Sequence, residues 1–292
     1  MTSLSAANAQ QAFKTPEDGA AALVRAAKDA WPNGVVDILG KSSAEIVASG
    51  DKVADEATRQ KFIATYDAKH RVEMEGDAKA IMVIGNEDFP LPIPLVRKDG
   101  MWRFDTEAGR AEILDRRIGR NELDTIQASL AYVDAQNEYA EKDRTGAGKG
   151  VYAQRIVSTP GKKNGLYWPT SQDNDESPLG ELVAEAAAGG YRIGAGRAPF
   201  HGYYFKILTE QGPAAPGGEL DYIVHGKMIG GFALVAYPAE YRNSGVMTFI
   251  VNHTGTVFQK DLGPRTAHIA ERMTIYNPDK TWKAVDATTL KD

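Results

Sequence analysis

The sequence predicts an α+β chain of two modules, and three observations carry that prediction. A length of 292 residues exceeds what one hydrophobic core normally serves. Apolar residues recur at helical spacing up to His70, alternate as in strands as far as Phe104, and turn helical again from Asp105. The strand-like segments are separated by short turns, which favours antiparallel meanders, since a parallel crossover needs about a dozen residues or more. This reading sets a terminal segment at 1–12, a first module at 13–118 and a second at 119–292.

Thr15-Pro16-Glu17-Asp18 opens the first helix. Thr15 can cap it, Pro16 sits where a missing N–H costs nothing, and Asp18 completes a capping box. Ala20, Leu23, Val24, Ala27 and Trp31 then form one buried stripe. A short helix is expected over Val35–Leu39, with Ala44–Ala48 continuing to Gly50, and a third from Val53 to His70 that buries Phe62, Ile63 and Tyr66. Arg71–Met74, Ala78–Ile84, Leu91–Val96 and Met101–Phe104 read as strands, punctuated by Glu75-Gly76-Asp77, Gly85-Asn86-Glu87-Asp88 and Lys98-Asp99-Gly100. Beyond Asp105, helical segments run from Ala111 to Arg120 and from Asn121 to Glu141, the latter with Leu123, Ile126, Leu130, Val133 and Tyr139 as its apolar stripe.

Composition excludes several function classes. Hydrophobic residues make up 42% and charged residues 25%, the balance of an ordinary folded protein. A net charge of -5 spread along the chain offers no basic face for nucleic acid. With no cysteine there is no disulfide, thiolate metal site or cysteine nucleophile. His70, His201, His225, His253 and His268 lack zinc-site spacing, and no serine stands in a nucleophile elbow. Asp143-Arg144-Thr145-Gly146-Ala147-Gly148-Lys149-Gly150 is glycine-rich but lacks the order of a phosphate loop and carries too few carboxylates for calcium. Asp173-Asn174-Asp175-Glu176 reads as a solvated turn or, alternatively, an oxygen-rich metal loop. No catalytic residue, resident metal or cofactor is assigned. Ala7 and Ala9 stand at the spacing a signal peptidase reads, so the N-terminus is expected to be the stub of a removed secretion signal, the alternative being a plain polar terminus. No apolar run of about 18 residues is present, so no transmembrane segment is expected.

Two candidate sites emerge. Tyr66, His70, Trp102 and Asp105 can reach a space between the first module's sheet and helices, where a His/Asp pair in hydrogen-bond reach would serve as a general base. The same residues also read structurally: Trp102 and Phe104 as core, Asp105 as a helix cap, and His70 at a helix C-terminus. In the second module, strand alternation sets His201 and Tyr203 on one face and Tyr204 on the other, as a ligand groove or as core. Gln211–Gly218, with Pro213 and Pro216, cannot continue a ladder and is expected to form an ordered, exposed loop beside Phe200–Tyr204 and to contact a partner. Arg116, Arg117 and Arg120 form an ion-paired helix junction or an anion site.

Helices followed by a curved antiparallel sheet, from about Phe13 to Arg117, resemble the cystatin-like cone of nuclear transport factor 2 and its relatives. The segments Gly165-Leu166-Tyr167-Trp168-Pro169, Phe200–Leu208, Gln211–Gly218, Gly231–Tyr241 and Ser244–Asn252, with Asp115–Glu122, resemble the bacterial family known as domain of unknown function 2950. That resemblance covers Phe13 to Trp282 and implies secretion without implying a mechanism. The second module also resembles the globular head of type IV pilins and pseudopilins. This implies a long helix at Asn121–Glu141 against strands at Tyr203–Leu208, Gly231–Tyr237, Val246–Asn252 and Thr256–Gln259, with Asn252–Gly255 as a turn. The pilins' N-terminal apolar helix is missing, which speaks against assembly by their route. The expected function is therefore a periplasmic or secreted, non-catalytic binding or scaffolding protein whose partner is an envelope protein or a small molecule. The alternatives are an enzyme or carrier using the cone, and an accessory of a pilus or secretion apparatus.

Overall fold

The structure, a computed structural model, describes residues 10–169, 176–188 and 198–286. The chain divides into two compact units, Met1–Arg117 and Ile118–Asp292, both mixing helices with antiparallel sheet.

In the first unit, α1 (Pro16–Asp29) begins at Thr15, whose hydroxyl accepts from the Asp18 N–H at 3.1 Å. Then come α2 (Asn33–Leu39), α3 (Ala44–Val47) and α4 (Lys52–Ala68). Asp51 caps α4 by accepting from Val53 and Ala54. The sheet consists of β1 (His70–Glu75), β2 (Lys79–Ile84), β3 (Phe89–Pro90), β4 (Leu95–Lys98) and β5 (Met101–Phe104), ordered β1-β2-β4-β5 with β3 on β2. Every pairing is antiparallel. Asp99 and Gly100, both at positive φ, turn β4 into β5, the backbone a two-residue hairpin of this hand requires. Phe13 adds a bridge beyond β5 through reciprocal 2.8 Å bonds with Trp102. Alternation along β2 sends Ala80, Met82 and Ile84 inward, where they meet Leu23, Ala27, Leu95, Trp102 and Phe104. Gly19 lets α1 approach, since a Cβ there would lie 2.5 Å from Leu95 Cδ2.

A continuous helix, α5 (Thr106–Glu141), replaces the two segments expected on either side of Arg120. In the second unit its residues are followed by α6 (Gly180–Ala188), which the sequence reading did not anticipate. Next come β6 (Tyr203–Leu208), β7 (Glu210–Gln211), β8 (Leu220–Asp221), β9 (Ile223–Val224), β10 (Lys227–Met228), β11 (Ala233–Pro238), β12 (Met247–Asn252) and β13 (Phe258–Asp261). The described part ends with α7 (Thr266–Arg272), β14 (Ile275–Tyr276) and β15 (Lys283–Ala284). The main sheet is antiparallel, ordered β15-β13-β12-β11-β6. A small sheet, β14-β7-β8, pairs β14 with β7 in parallel. β11 is buried along its whole length, covered on both faces.

Of the apolar stripe expected on α5, Ile126, Val133 and Tyr139 are buried in the core and Leu130 packs against it. Leu123 is 45% exposed, whereas Asn121, Thr125, Ser129, Tyr132 and Gln136 are each at most 5% exposed. These five recur every three or four residues and so form one buried, largely polar stripe. Tyr132 donates to Ala233 O, and Gln136 donates to Tyr132 Oη and Ala153 O while accepting from Ala153 N at 2.8 Å. Those bonds tie the helix to β11 and to the segment around Ala153.

Candidate functional site

The cone residues of the first unit, Tyr66, His70, Trp102 and Asp105, each have local partners. His70 opens β1, stacks on Tyr66 with ring centroids 3.7 Å apart, and turns its Nδ1 to Tyr66 O at 2.9 Å. Trp102 is core. Asp105 stands before α5 and accepts from the Ala108 N–H at 3.4 Å. Among the described residues no hydrogen bond joins His70 to Asp105, so the pairing that general-base chemistry requires is not formed.

Two of the three basic residues, Arg116 and Arg117, are engaged locally. Arg117 donates to the Glu45 and Ile46 carbonyls at the end of α3, and Arg116 pairs with Glu112 while lying over the Phe89 ring. The glycine-rich loop after α5 serves its own carboxylate: Asp143 accepts from the Thr145 and Ala147 N–H groups. Desolvation, the largest influence on Asp143, pushes its pKa up, but backbone N–H bonds from Gly148, Thr145, Gly146 and Ala147 outweigh it and hold the group below the usual range. The N–H groups that would cradle an anion are thus already engaged. Asp173, Asn174 and Asp175 lie outside the described residues. Among the described residues no three His, Asp or Glu side chains gather as a metal site, and no helix is long and apolar enough to cross a membrane.

His201 is not on a strand. With Gly202 it forms the two-residue turn that brings Phe200 against Tyr203, both residues at positive φ. The alternation expected for His201 and Tyr203 therefore fails. Asp124 of α5 meets His201 Nδ1 at 3.2 Å, a partner the sequence reading missed because it is distant along the chain. Tyr203 is completely buried, so its assignment as a partner contact is withdrawn. Its hydroxyl donates to Met247 O at 3.0 Å, and its pKa is driven far up by burial and by the charge of Glu122. Glu122 in turn accepts from the Val246 and Met247 N–H groups, both at 2.9 Å. Tyr204 is half-buried against Tyr237.

The loop Gln211–Gly218 is ordered and has its tip in solvent, with Pro213, Ala214, Pro216 and Gly217 exposed. Its order comes from below. Gln211, the last residue of β7, is buried, and its Nε2 donates to Pro216 O at 3.1 Å and Gly218 O at 2.7 Å. Gln211 Oε1 accepts from the fully buried Tyr222 hydroxyl at 2.8 Å. Burial pushes the Tyr222 pKa up to about 12, with the Asn252 amide working against it, so this donor stays protonated at physiological pH. Asn277 Oδ1 accepts from Ala214 N, and Tyr276 O from Gly212 N, both at 2.9 Å. The loop does not sit beside the aromatics as expected: β6 separates Tyr203 from Leu208 by about 17 Å of strand, at about 3.4 Å per residue.

The family described as Protein of unknown function (DUF2950) matches residues 10–285. The chain belongs to it. No curated protein and no solved structure matches the chain. In this DUF2950 member the loop itself carries no charged side chain, and exposed Glu219 and Leu220 follow it directly.

Proposed function

We propose that the protein is a periplasmic or secreted, non-catalytic binding or scaffolding component of the cell envelope, and that the Gln211–Gly218 loop is its contact surface. One observation carries this reading: a loop whose Pro213, Ala214 and Pro216 are exposed is fixed by buried side chains, so it loses little entropy when it docks. In the second unit a long helix lies against an antiparallel sheet, and in the first, helices precede an antiparallel meander. These arrangements support the pilin-head-like and cystatin-like readings of the two units. Secretion rests on the Ala7-Asn8-Ala9 spacing.

The test places a photo-crosslinking residue at Ala214 of the full chain expressed in its native host, followed by fractionation. The expected outcome is an extracytoplasmic protein that crosslinks to one envelope component, with the crosslink lost when Pro213 and Pro216 are replaced by Asp. A cytoplasmic protein, or an extracytoplasmic one that crosslinks to nothing, overturns the reading.

A further inference from the structure

β1 ends the first unit's sheet, ordered β1-β2-β4-β5, so one of its edges has no neighbouring strand among the described residues. The register on β2 fixes which backbone groups lie along that edge. His70 opposes Ile84, and the Gly85 N–H donates to Lys69 O at 2.7 Å. Hydrogen-bonded and non-hydrogen-bonded pairs alternate in an antiparallel ladder. Arg71, Glu73 and Glu75 therefore bond to β2, while the N–H and C=O groups of His70, Val72 and Met74 point outward. Every residue of β1 except the half-buried Val72 is exposed.

An open edge invites pairing with any strand, and charged side chains are a common guard against it. Here the charges also select a partner. Lys69, extended at φ -163° and ψ 134°, shares one face with Arg71, Glu73 and Glu75, so two cations are followed by two anions. That order is complementary to itself when read in the opposite direction. In an antiparallel pair of two copies, outward-bonding residues must meet outward-bonding residues, so the two-fold axis passes through one of residues 70–74. An axis at His70 sets Lys69 against Arg71, one at Arg71 or Glu73 sets that residue against itself, and one at Met74 sets Glu73 against Glu75. Like charges directly opposite are destabilising. With the axis at Val72, Lys69 meets Glu75 and Arg71 meets Glu73 in both halves. On the other face Met74, 51% exposed, falls opposite His70 of the second copy, whose ring is stacked on Tyr66, and a thioether packs favourably against such rings. We propose that the protein self-associates through β1, a second copy adding antiparallel about a two-fold axis at Val72 so that the two sheets become one. This surface belongs to the first unit and stands whether or not the Gln211–Gly218 loop binds a partner.

The chain has no cysteine, so a single introduced thiol reports the register. Val72 faces its own copy at a Cα separation of about 5.5 Å, within disulfide reach. Under an added mild oxidant, full-length Val72→Cys is expected to form a covalent dimer. Arg71→Cys and Glu73→Cys, whose copies lie on diagonals of about 7–8 Å, are expected to stay monomeric. Charge reversal is the second test, at two positions whose side chains are 40% and 52% exposed. Arg71→Glu alone and Glu73→Arg alone each oppose like charges and are expected to lose the dimer seen for wild type in sedimentation equilibrium. An equimolar mixture of the two regains it, because the carboxylates at 71 and 73 of one chain then meet the guanidinium groups of the other. Raising the salt should weaken wild-type association, since these charges are solvated. A wild type that stays monomeric up to about 1 mM, equal crosslinking at all three positions, or a dimer indifferent to both reversals overturns the proposal. Should a variant of one series fail to fold, the other series decides.

Discussion

The two units bury polar groups in different places. In the first unit the buried polar residues sit at helix ends: Ser43 donates to Gly40 O, Asp51 caps α4, Ser49 bonds Asp55, and Thr106 donates to Leu39 O. Its interior proper is apolar. In the second unit, polar side chains run through the core itself, from the α5 stripe to Tyr222, Gln211 and Asn252. Apolar packing tolerates sliding, whereas a helix whose Gln136 must meet both groups of Ala153 has one register. The comparison suggests that volume holds the first unit and hydrogen-bond geometry specifies the second.

Paired substitutions test that division, with hydrogen exchange read separately over peptides of each unit. Leu95→Ala removes a completely buried side chain between sheet and α1 and is expected to cost about 4 kcal/mol. Gln136→Leu keeps much of the volume but strands both backbone groups of Ala153, and is expected to cost about 3 kcal/mol in the second unit. A neutral Gln136→Leu would show that unit to be held by packing as well, and the contrast would fall.

The local elements of the first unit were legible because each reports itself nearby. Thr15-Pro16 marks a helix start, Asp99-Gly100 a turn, and the β2 alternation an inward face. In the second unit the decisive partners are distant in sequence. Asn121 donates to Ser244 O, Glu122 meets Val246, and Asp124 meets His201. Apolar periodicity found Ile126, Leu130, Val133 and Tyr139 on the packed side of α5 but not the polar residues buried beside them at 121, 125, 129 and 136. The same spacing was there to be read from the polar residues. The ordered Pro-Ala-Ala-Pro loop was legible from its prolines and glycines, but its position was not, since that depends on which end of β6 it leaves.

A pH series sharpens the contrast further. His253 lies edge-on to the Tyr222 and Phe232 rings. Desolvation lowers its pKa from 6.5, with a hydrogen bond to the Phe232 backbone opposing. A depressed folded pKa means that the unfolded chain binds the proton more readily. Its stabilising contribution is therefore complete above about pH 6.5 and is lost as pH falls through the lower, folded value. The urea midpoint of the second unit should drop between pH 7.5 and 5 more steeply in wild type than in His253→Gln, by a modest amount. Equal slopes would count against a half-buried, neutral His253.

The smallest effect belongs to the charged edge of the first unit. β1 is exposed along nearly its whole length, and Asp88, at the turn leading to β3, receives Lys69 Nζ at 2.8 Å and the Arg71 guanidinium. Those two hydrogen bonds, from Lys69 first and then Arg71, hold the Asp88 carboxyl below its usual value of 3.8, so any contribution is present above that pH and lost as pH falls through the folded value. All three side chains are solvated, however, and exposed ion pairs are screened at physiological salt. Asp88→Asn isolates the charge, because asparagine also accepts the positive φ of 53° found there. The expected shift in Tm is below about 1 °C at 0.15 M salt, with amide exchange in β1 unchanged. A shift of several degrees, abolished by salt, would show that charge rather than burial fixes this edge, and the first unit would then depend on polar geometry as the second does.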